Sequence, residues 1–430
     1  MSPSRVRRRS VALAVTALLA GVLSGCAAGR DEGQAGGALP VRQSPGATHT
    51  HPPGTAPHSH GSTTAAAAES PAARVASVPL RPGERRITLH LPGGPYRPSA
   101  PGVGRDDYRC FLIDPGLTSD AYVTGSDVVP GNTAVVHHAI LFAVPHDQVA
   151  AAEQQDAAAP GDGWSCFGGS ALQQNGEDPV RDLDQAPWLA AWAPGGGETV
   201  LRQRTGRWMP AGSRVVLQLH YNLRAVEGTD AASFADDTAV KLRLMPGSAD
   251  LRPLQTMLLV APVELPCAPE ESGPLCDRSQ ALLDLTQRIG PSSGRTVAGL
   301  ALLCTRPDQP VRPGPTQSCD RTVPEDMVVR AVAGHMHLLG RSISVDLDPG
   351  RAGERRLLDR TVWDFDDQAA TPLRRPGPAP AGDTLRVTCT HDAALRSMLP
   401  ELADEEPRYV TWGEGTSDEM CLGIVQYTRF

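Results

Sequence analysis

The chain has 430 residues, a formal net charge of −8 and a single lysine, Lys241, among its 40 basic residues. That balance offers no basic face and argues against nucleic acid as a partner, while the length allows two or three domains. Aromatic residues make up only 4% of the chain, so a core must come mostly from Val, Leu and Ala.

Residues 1–26 read as a targeting segment. "SRVRRRS" is a basic stretch, "VALAVTALLAGVL" is apolar but short for a membrane span, and "LSGC" ends at Cys26. "LSGC" resembles a bacterial lipobox, with cleavage before Cys26 and lipid on its sulfur; the alternative is an ordinary secretory signal in which Cys26 is incidental. Either way the chain is exported, and disulfides persist there. The lipobox reading adds an anchor on the outer face of the cell membrane. Eight cysteines remain after Cys26: Cys110, Cys166, Cys267, Cys276, Cys304, Cys319, Cys389 and Cys421. An even count in an exported chain reads as four disulfides, with on the order of a hundred possible pairings. None has the CxxC spacing of a zinc ribbon or thioredoxin-like site.

Residues 27–82 are rich in Ala, Gly, Pro, Ser and Thr and read as a disordered tether. Within it, "THTHPPGTAPHSHG" carries His49, His51, His58 and His60 as two H-x-H pairs. These are chance histidines of a polar linker or a weak, exchangeable metal tract. From residue 83 the pattern changes to short alternating runs between Pro/Gly-rich turns, among them "RITLHLP", "AVVHHAILFAV", "RVVLQLHYNL" and "EMCLGIVQYT". Runs of this kind predict an all-β fold of two tandem antiparallel β-sandwiches, jelly-roll-like, over 83–247 and 248–430. "RSQALLDLTQRIG" is the best helix candidate, and 264–322, with four cysteines, reads as an insertion of stapled loops.

Five histidines of the folded part fall in strand-like runs suited to ligation. His137 and His138 are adjacent inside an apolar run, where each ring needs either a backbone partner or a metal. Neighbours on a regular strand face opposite ways, so both reach one metal only if the strand twists or bulges. In "VVLQLHYNL", alternation puts Val215, Leu217, Leu219 and Tyr221 on one face and Val216, Gln218, His220 and Asn222 on the other. In "AGHMHLLGR", His335 and His337 share a face in chelating spacing, with Met336 turned away.

Together these segments resemble the copper type II, ascorbate-dependent monooxygenases, the family of peptidylglycine α-hydroxylating monooxygenase and dopamine β-monooxygenase. "VVHHAILF" resembles the family's HH motif, "LQLHYN" its Q-x-H-Y segment and "GHMHLLGR" its H-x-H-x-x-G motif. "GTSDEMCLGIVQY" resembles its C-terminal methionine motif, and "DYRCFLID" matches with Tyr108 and Cys110. Order and approximate spacing hold over roughly residues 83–430.

The resemblance implies two coppers. His137, His138 and His220 would hold an electron-transfer copper in the first domain; His335, His337 and Met420 would hold an O2-activating copper in the second. The sites would face each other across a solvent-filled cleft, with Tyr108 and Gln218 beside the ligands. The second site would insert one oxygen atom of O2 into a C–H bond. The chemistry of the residues agrees, since imidazole suits copper and a thioether selects Cu(I); by itself Met420 reads as core packing. The resemblance also implies Cys110–Cys166 and Cys389–Cys421. Local pairing would then join Cys267 to Cys276 and Cys304 to Cys319.

Two positions depart from the peptide-amidating member. A substrate-holding tyrosine is Ile424 here, and an arginine that holds a carboxylate is Ala333. Peptide amidation is therefore not expected. The substrate stays open, as a small molecule or an envelope component, and so does the external reductant, which is ascorbate for animal relatives. A copper-binding or sequestering lipoprotein without turnover is the competing expectation; zinc trafficking is weaker, because zinc sites seldom use methionine.

Overall fold

The computed structural model describes residues 77–430 apart from 101–104, 145, 160, 167–168, 171, 173–187, 195, 203, 227–233, 307–309, 366–367, 369, 403 and 416. The segment 1–26 with Cys26, and His49, His51, His58 and His60 of the tether, lie outside the described residues. The fold is mostly β. The alternating runs form strands, which assemble into five sheets among the described residues.

One antiparallel sheet runs in the order Trp164–Ser165, Asp106–Ile113, Arg214–Asn222, Val136–Val144, Trp188–Trp192. A second runs Arg85–His90, Ala239–Pro246, Ala121–Val129, Thr205–Met209, Arg252–Pro253, with Thr199–Val200 also on Ala121–Val129. Phe111, Leu217 and Tyr221 of the first share one apolar core with Val123, Val240 and Leu242 of the second. Alternation along Arg214–Asn222 does what its pattern predicts: Val215, Leu217, Leu219 and Tyr221 enter that core, while Val216 packs on the other face with Phe142 and Trp164.

The C-terminal part repeats the arrangement. One sheet runs Gln255–Val260, Leu422–Arg429, Met327–His335, Thr371–Ala379 and another Thr316–Thr322, Thr384–His391, Gly340–Leu347, Arg355–Arg360. A two-stranded sheet pairs Glu264–Leu265 with Val410–Thr411. Met257, Val332 and Val425 share a core with Val345, Leu385 and Val387. All described residues belong to a single compact unit.

Several strands lack a readable pattern. Ala121–Val129 is central, yet carries Gly125, where a Cβ would lie 2.7 Å from the Arg243 side chain and from the Thr199 carbonyl. The glycine lets a charged side chain cross the strand. Thr371–Ala379 contains Pro372, Pro376 and Pro378 and takes a sheet edge, where missing N–H groups are tolerated.

The insertion holds two consecutive helices: Arg278–Ile289, which is the expected helix candidate, and Pro291–Cys304, which the reading of stapled loops did not include. Asp277 caps the first by accepting from the Ser279 and Gln280 amides at 2.9 and 3.0 Å. The second was hidden by Gly294 and its Ser/Thr content, but Val297, Leu300 and Cys304 form a buried stripe at helical spacing. Ordered contacts also begin before residue 83. Buried Arg243 is paired with Glu84 at 2.6 Å and Glu198 at 3.1 Å, and it donates to the carbonyls of Val78 at 2.8 Å and Pro79 at 2.6 Å. A buried guanidinium needs those acceptors, so residues 78–82 are part of the fold and not of the tether.

Four disulfides form: Cys110–Cys166, Cys267–Cys276, Cys304–Cys319 and Cys389–Cys421. They assign the chain to an oxidising, extracytoplasmic setting. No described helix is long and apolar enough to cross a membrane.

Candidate metal centres

The central strand Arg214–Asn222 lies between the strands carrying the other residues of the first cluster. Tyr108 is the register partner of His220 on one side, and His138 is its partner on the other. The register shifts between Val136 and His138. That irregularity at His137 is what two adjacent histidines need to reach one point. The Nδ1 of His220 stands 3.1 Å from Nδ1 of His137 and 3.2 Å from Nδ1 of His138. One nitrogen from each of the three rings lies within 4.8 Å of the others, a set that could hold a metal ion.

Hydrogen bonding alone does not account for this cluster. His220 Nε2 donates to Asp106 Oδ1 at 2.8 Å, because a carboxylate oxygen only accepts. With that N–H committed to Asp106, the ring has only Nδ1 to offer, and it faces two other nitrogens. One lone pair takes one good hydrogen bond, so one neighbour is left over. Burial, then the charge on His220, lowers His137 to about 3, and the same causes hold His138 well below the usual histidine range. Three imidazoles meeting at one point, two of them held neutral, suit a cation that binds nitrogen, with the carboxylate behind His220 orienting its ring. Tyr108 stacks on His220 at 4.0 Å between ring centroids and 11° between planes. Its hydroxyl donates to the carbonyl of Glu414, tying this cluster to the loop before Met420.

The second cluster sits at the end of Met327–His335. The rings of His335 and His337 are 5.2 Å apart, while Met336 is fully buried in the core, as the spacing predicts. His337 Nδ1 donates to the Asp418 carbonyl at 3.0 Å, and His335 Nδ1 donates to Gln368 Oε1 at 2.5 Å. The Gln368 amide nitrogen donates to the Phe365 carbonyl, which fixes its oxygen toward His335. Each ring keeps its lone pair on Nε2. Burial, then the charge of His337, brings His335 down to about 4.

Glu419 is fully buried and joins the pieces. Its carboxylate accepts from the amides of His337 at 2.9 Å, Leu339 at 2.6 Å and Met420 at 3.3 Å, and faces His391 Nε2 at 3.3 Å. Burial pushes this carboxyl up, but His391 and the amides outweigh it and the group stays below the usual range. Cys389–Cys421 then clamps the residue after Met420 to the neighbouring sheet.

One cavity of about 460 Å³ is lined by His137 and His138 and also by His335 and Met420. Gln218 lines it too, its amide nitrogen held by the Gly169 carbonyl at 2.8 Å. Phe365 reaches across, its ring 5.7 Å from that of His137. His337 and His220 stand behind this wall, both buried. The rings also oppose one another's protonation across the cavity, since His335 and His337 are among the causes that lower His137 and His138.

Sequence reasoning missed Asp106, Gln368, Glu419 and His391. Asp106 was legible, being two residues before Tyr108 and opposite Asn222, hence on the His220 face. Glu419 stands beside Met420 in an apolar setting. Gln368 gives no signal.

No family model matches the chain, and no curated protein matches it. Among solved structures it is similar to the major capsid protein P2 of bacteriophage PM2, at 10% identity over 80% of this chain and 97% of that one, with a TM-score of 0.28. It is also similar to allantoicase, at 11% over 71% and 86% with 0.17, and to vicilin from Corylus avellana, at 10% over 75% of each chain with 0.13. Similarity this weak carries no argument about fold or function.

Acid should destabilise the metal-free protein. Unfolded histidines take protons near the ordinary value of 6.5, which folded His137, His138 and His335 refuse. The unfolded state therefore binds more protons in this window, so stability is full above about pH 6.5 and falls as pH drops toward 4. His391, whose value is raised, acts with the opposite sign and is outnumbered. A thermal melting series between pH 7 and 4 should show a steady fall that His137→Asn flattens; an unchanged midpoint over that window would contradict it.

Proposed function

We propose that this chain is a copper-dependent monooxygenase of the type II, ascorbate-dependent kind, which hydroxylates a C–H bond of an extracytoplasmic substrate. One observation carries the reading: two chemically different ligand clusters, His137 with His138 and His335 with Met420, line one cavity. A chelator has no need of two ligand sets opening on one space.

In this reading the chain is two tandem antiparallel β-sandwiches, 83–247 and 248–430, and the two pairs of sheets with separate cores support that division. Lipid on Cys26 anchors it to the outer face of the membrane, and His49, His51, His58 and His60 bind copper weakly. His137, His138 and His220 hold one copper; His335, His337 and Met420 hold the other. Copper at these places supplies one-electron transfer and the reduction of O2. One oxygen atom of O2 enters the C–H bond, the other leaves as water, and an external reductant supplies two electrons with two protons. Asp106 and Tyr108 keep His220 in one tautomer and one plane. The Asp418 carbonyl and Gln368 do the same for His337 and His335. The all-nitrogen set serves both oxidation states of copper, and the thioether favours the reduced one.

The test is anaerobic reduction of the copper-loaded protein followed by O2. Rapid reoxidation with peroxide release, suppressed when a substrate is hydroxylated, supports the reading. Copper that stays reduced in O2 would instead favour a sequestering lipoprotein.

A further inference from the structure

The helix Arg278–Ile289 reaches the second cluster through one side chain. Arg288, in its last turn and 13% exposed, donates from Nη2 to Asp418 Oδ1 at 2.7 Å. Its Nε donates to Asp284 Oδ2 at 2.8 Å, one turn earlier on the same helix, and Arg408 Nη1 meets that same oxygen at 2.8 Å. The guanidinium thus forks between two carboxylates, an arrangement that a lysine matches only in part. The helix itself has little freedom. Asp277 caps its start, and Arg278 donates to both oxygens of Glu264 at 2.6 and 2.5 Å. Ala281 and Leu285 are buried, and Cys267–Cys276 and Cys304–Cys319 close the chain on either side of the helix pair.

Asp418 is where this helix and the cluster meet. Its carbonyl accepts from His337 Nδ1 at 3.0 Å. Its buried side chain accepts from the Gly415 amide at 3.1 Å through Oδ2, and its own amide donates back to the Gly415 carbonyl at 2.9 Å. The turn closes so tightly on the ion pair that a Cβ on Gly415 would lie 2.7 Å from Asp418 Oδ2 and 3.2 Å from Arg288 Nη1. Tyr108 holds the start of this turn through the Glu414 carbonyl, and Arg288 holds its end. Met420 follows two residues later.

A main-chain carbonyl fixes a histidine only as well as its own peptide is fixed. Arg288 is the one cation paired with Asp418 among the described residues. Without it a buried carboxylate loses its counter-charge, which is costly, and the turn relieves that cost by opening toward water. Opening moves the carbonyl away from His337. We infer that Arg288 is a positioning residue for the second cluster: its ion pair with Asp418 fixes the peptide that sets the tautomer of His337 and the approach of Met420. The stapled helical insertion is thereby a support of the metal site. The inference rests on the copper reading of that cluster for its metal, so its first readout is taken without metal.

Nitrogen-15 NMR of the imidazoles in the full-length, metal-free protein should show His337 as one tautomer, with its proton on Nδ1. Arg288→Met should turn that signal into a mixture of tautomers, and Arg288→Lys, which keeps the charge, should recover the single form. In the protein loaded with Cu(I), Arg288→Met should weaken the second site by about tenfold, the effect of losing a support behind a metal ligand, and leave the first site unchanged. Competition with a Cu(I) chelator measures this. Arg408→Met is the control for stability alone. It strips the same helix of an ion pair but leaves Arg288 on Asp418, so it should lower the melting midpoint and move neither readout. Should Arg288→Met fail to fold, Arg288→Gln, which leaves Asp418 a neutral donor, should show the same changes in smaller measure. Either readout unmoved by the charge-removing variants, no recovery in Arg288→Lys, or an equal change in Arg408→Met overturns the inference. A His337 tautomer that follows Arg288 in a chain whose second cluster takes up no copper would sink only the oxygenase reading. O2 consumption by the loaded protein with a tautomer indifferent to Arg288 would sink only this inference.

Discussion

Glu419→Ala should cost the protein about 3–5 kcal/mol of stability, the range for removing one partner from a buried charged network. The carboxylate has no solvent exposure and serves the amides of His337, Leu339 and Met420 together with His391. Alanine leaves buried amide donors unpaired, each costing about 1–3 kcal/mol, and takes the carboxylate from His391 Nε2, which is left with the Met420 carbonyl at 3.2 Å. The loss also falls on function, because the same oxygens tie the turn after His335 to the segment carrying Met420, just before strand Leu422–Arg429. Glu419→Gln should recover part of the stability, since one amide oxygen still accepts while the NH2 meets donors. Urea unfolding of the metal-free protein reads the effect. A loss under about 1 kcal/mol would show that Glu419 is a bystander.

Met420→Leu should leave Cu(II) loading nearly unchanged and weaken Cu(I) at the second site by at least about tenfold. Leucine is the right substitute because Met420 is 9% exposed and belongs to the core. Alanine would open a cavity costing about 2–5 kcal/mol, whereas a swap that conserves volume costs under about 1.5 kcal/mol. What the variant lacks is the sulfur. Competition with a Cu(I) chelator measures the affinity, and reaction with O2 should be lost in step. His138→Ala should instead remove the all-nitrogen site and leave the Cu(I) affinity of the second largely intact. If Met420→Leu changes neither Cu(I) affinity nor O2 reactivity, Met420 is a packing residue.

Strand runs are legible in the sequence wherever one face is buried and the other is not, as along Arg214–Asn222. They are illegible where a strand serves a buried charge, as at Gly125 opposite Arg243, or sits at an edge with three prolines. The conflict of two neighbouring histidines on one strand points to an irregular register, and the shift between Val136 and His138 has that form. Ligand types can be read because few residues bind metal. Their supports cannot, because Gln368 or a main-chain carbonyl such as that of Asp418 looks like any other residue until the chain folds. Helix Pro291–Cys304 escapes a reading by pattern because its Gly and Ser content weakens propensity, and tertiary burial of Val297 and Leu300 overrides that.

The central claim is that two unlike copper sites open on one cavity. The most direct measurement is X-ray absorption at the copper edge on the full-length protein, loaded as Cu(I) and washed free of weakly bound metal. Two retained coppers per chain are expected, with a sulfur scatterer at half occupancy per copper that Met420→Leu abolishes. A single retained copper with nitrogen ligands alone, lost on His138→Ala and indifferent to Met420→Leu, would contradict the account.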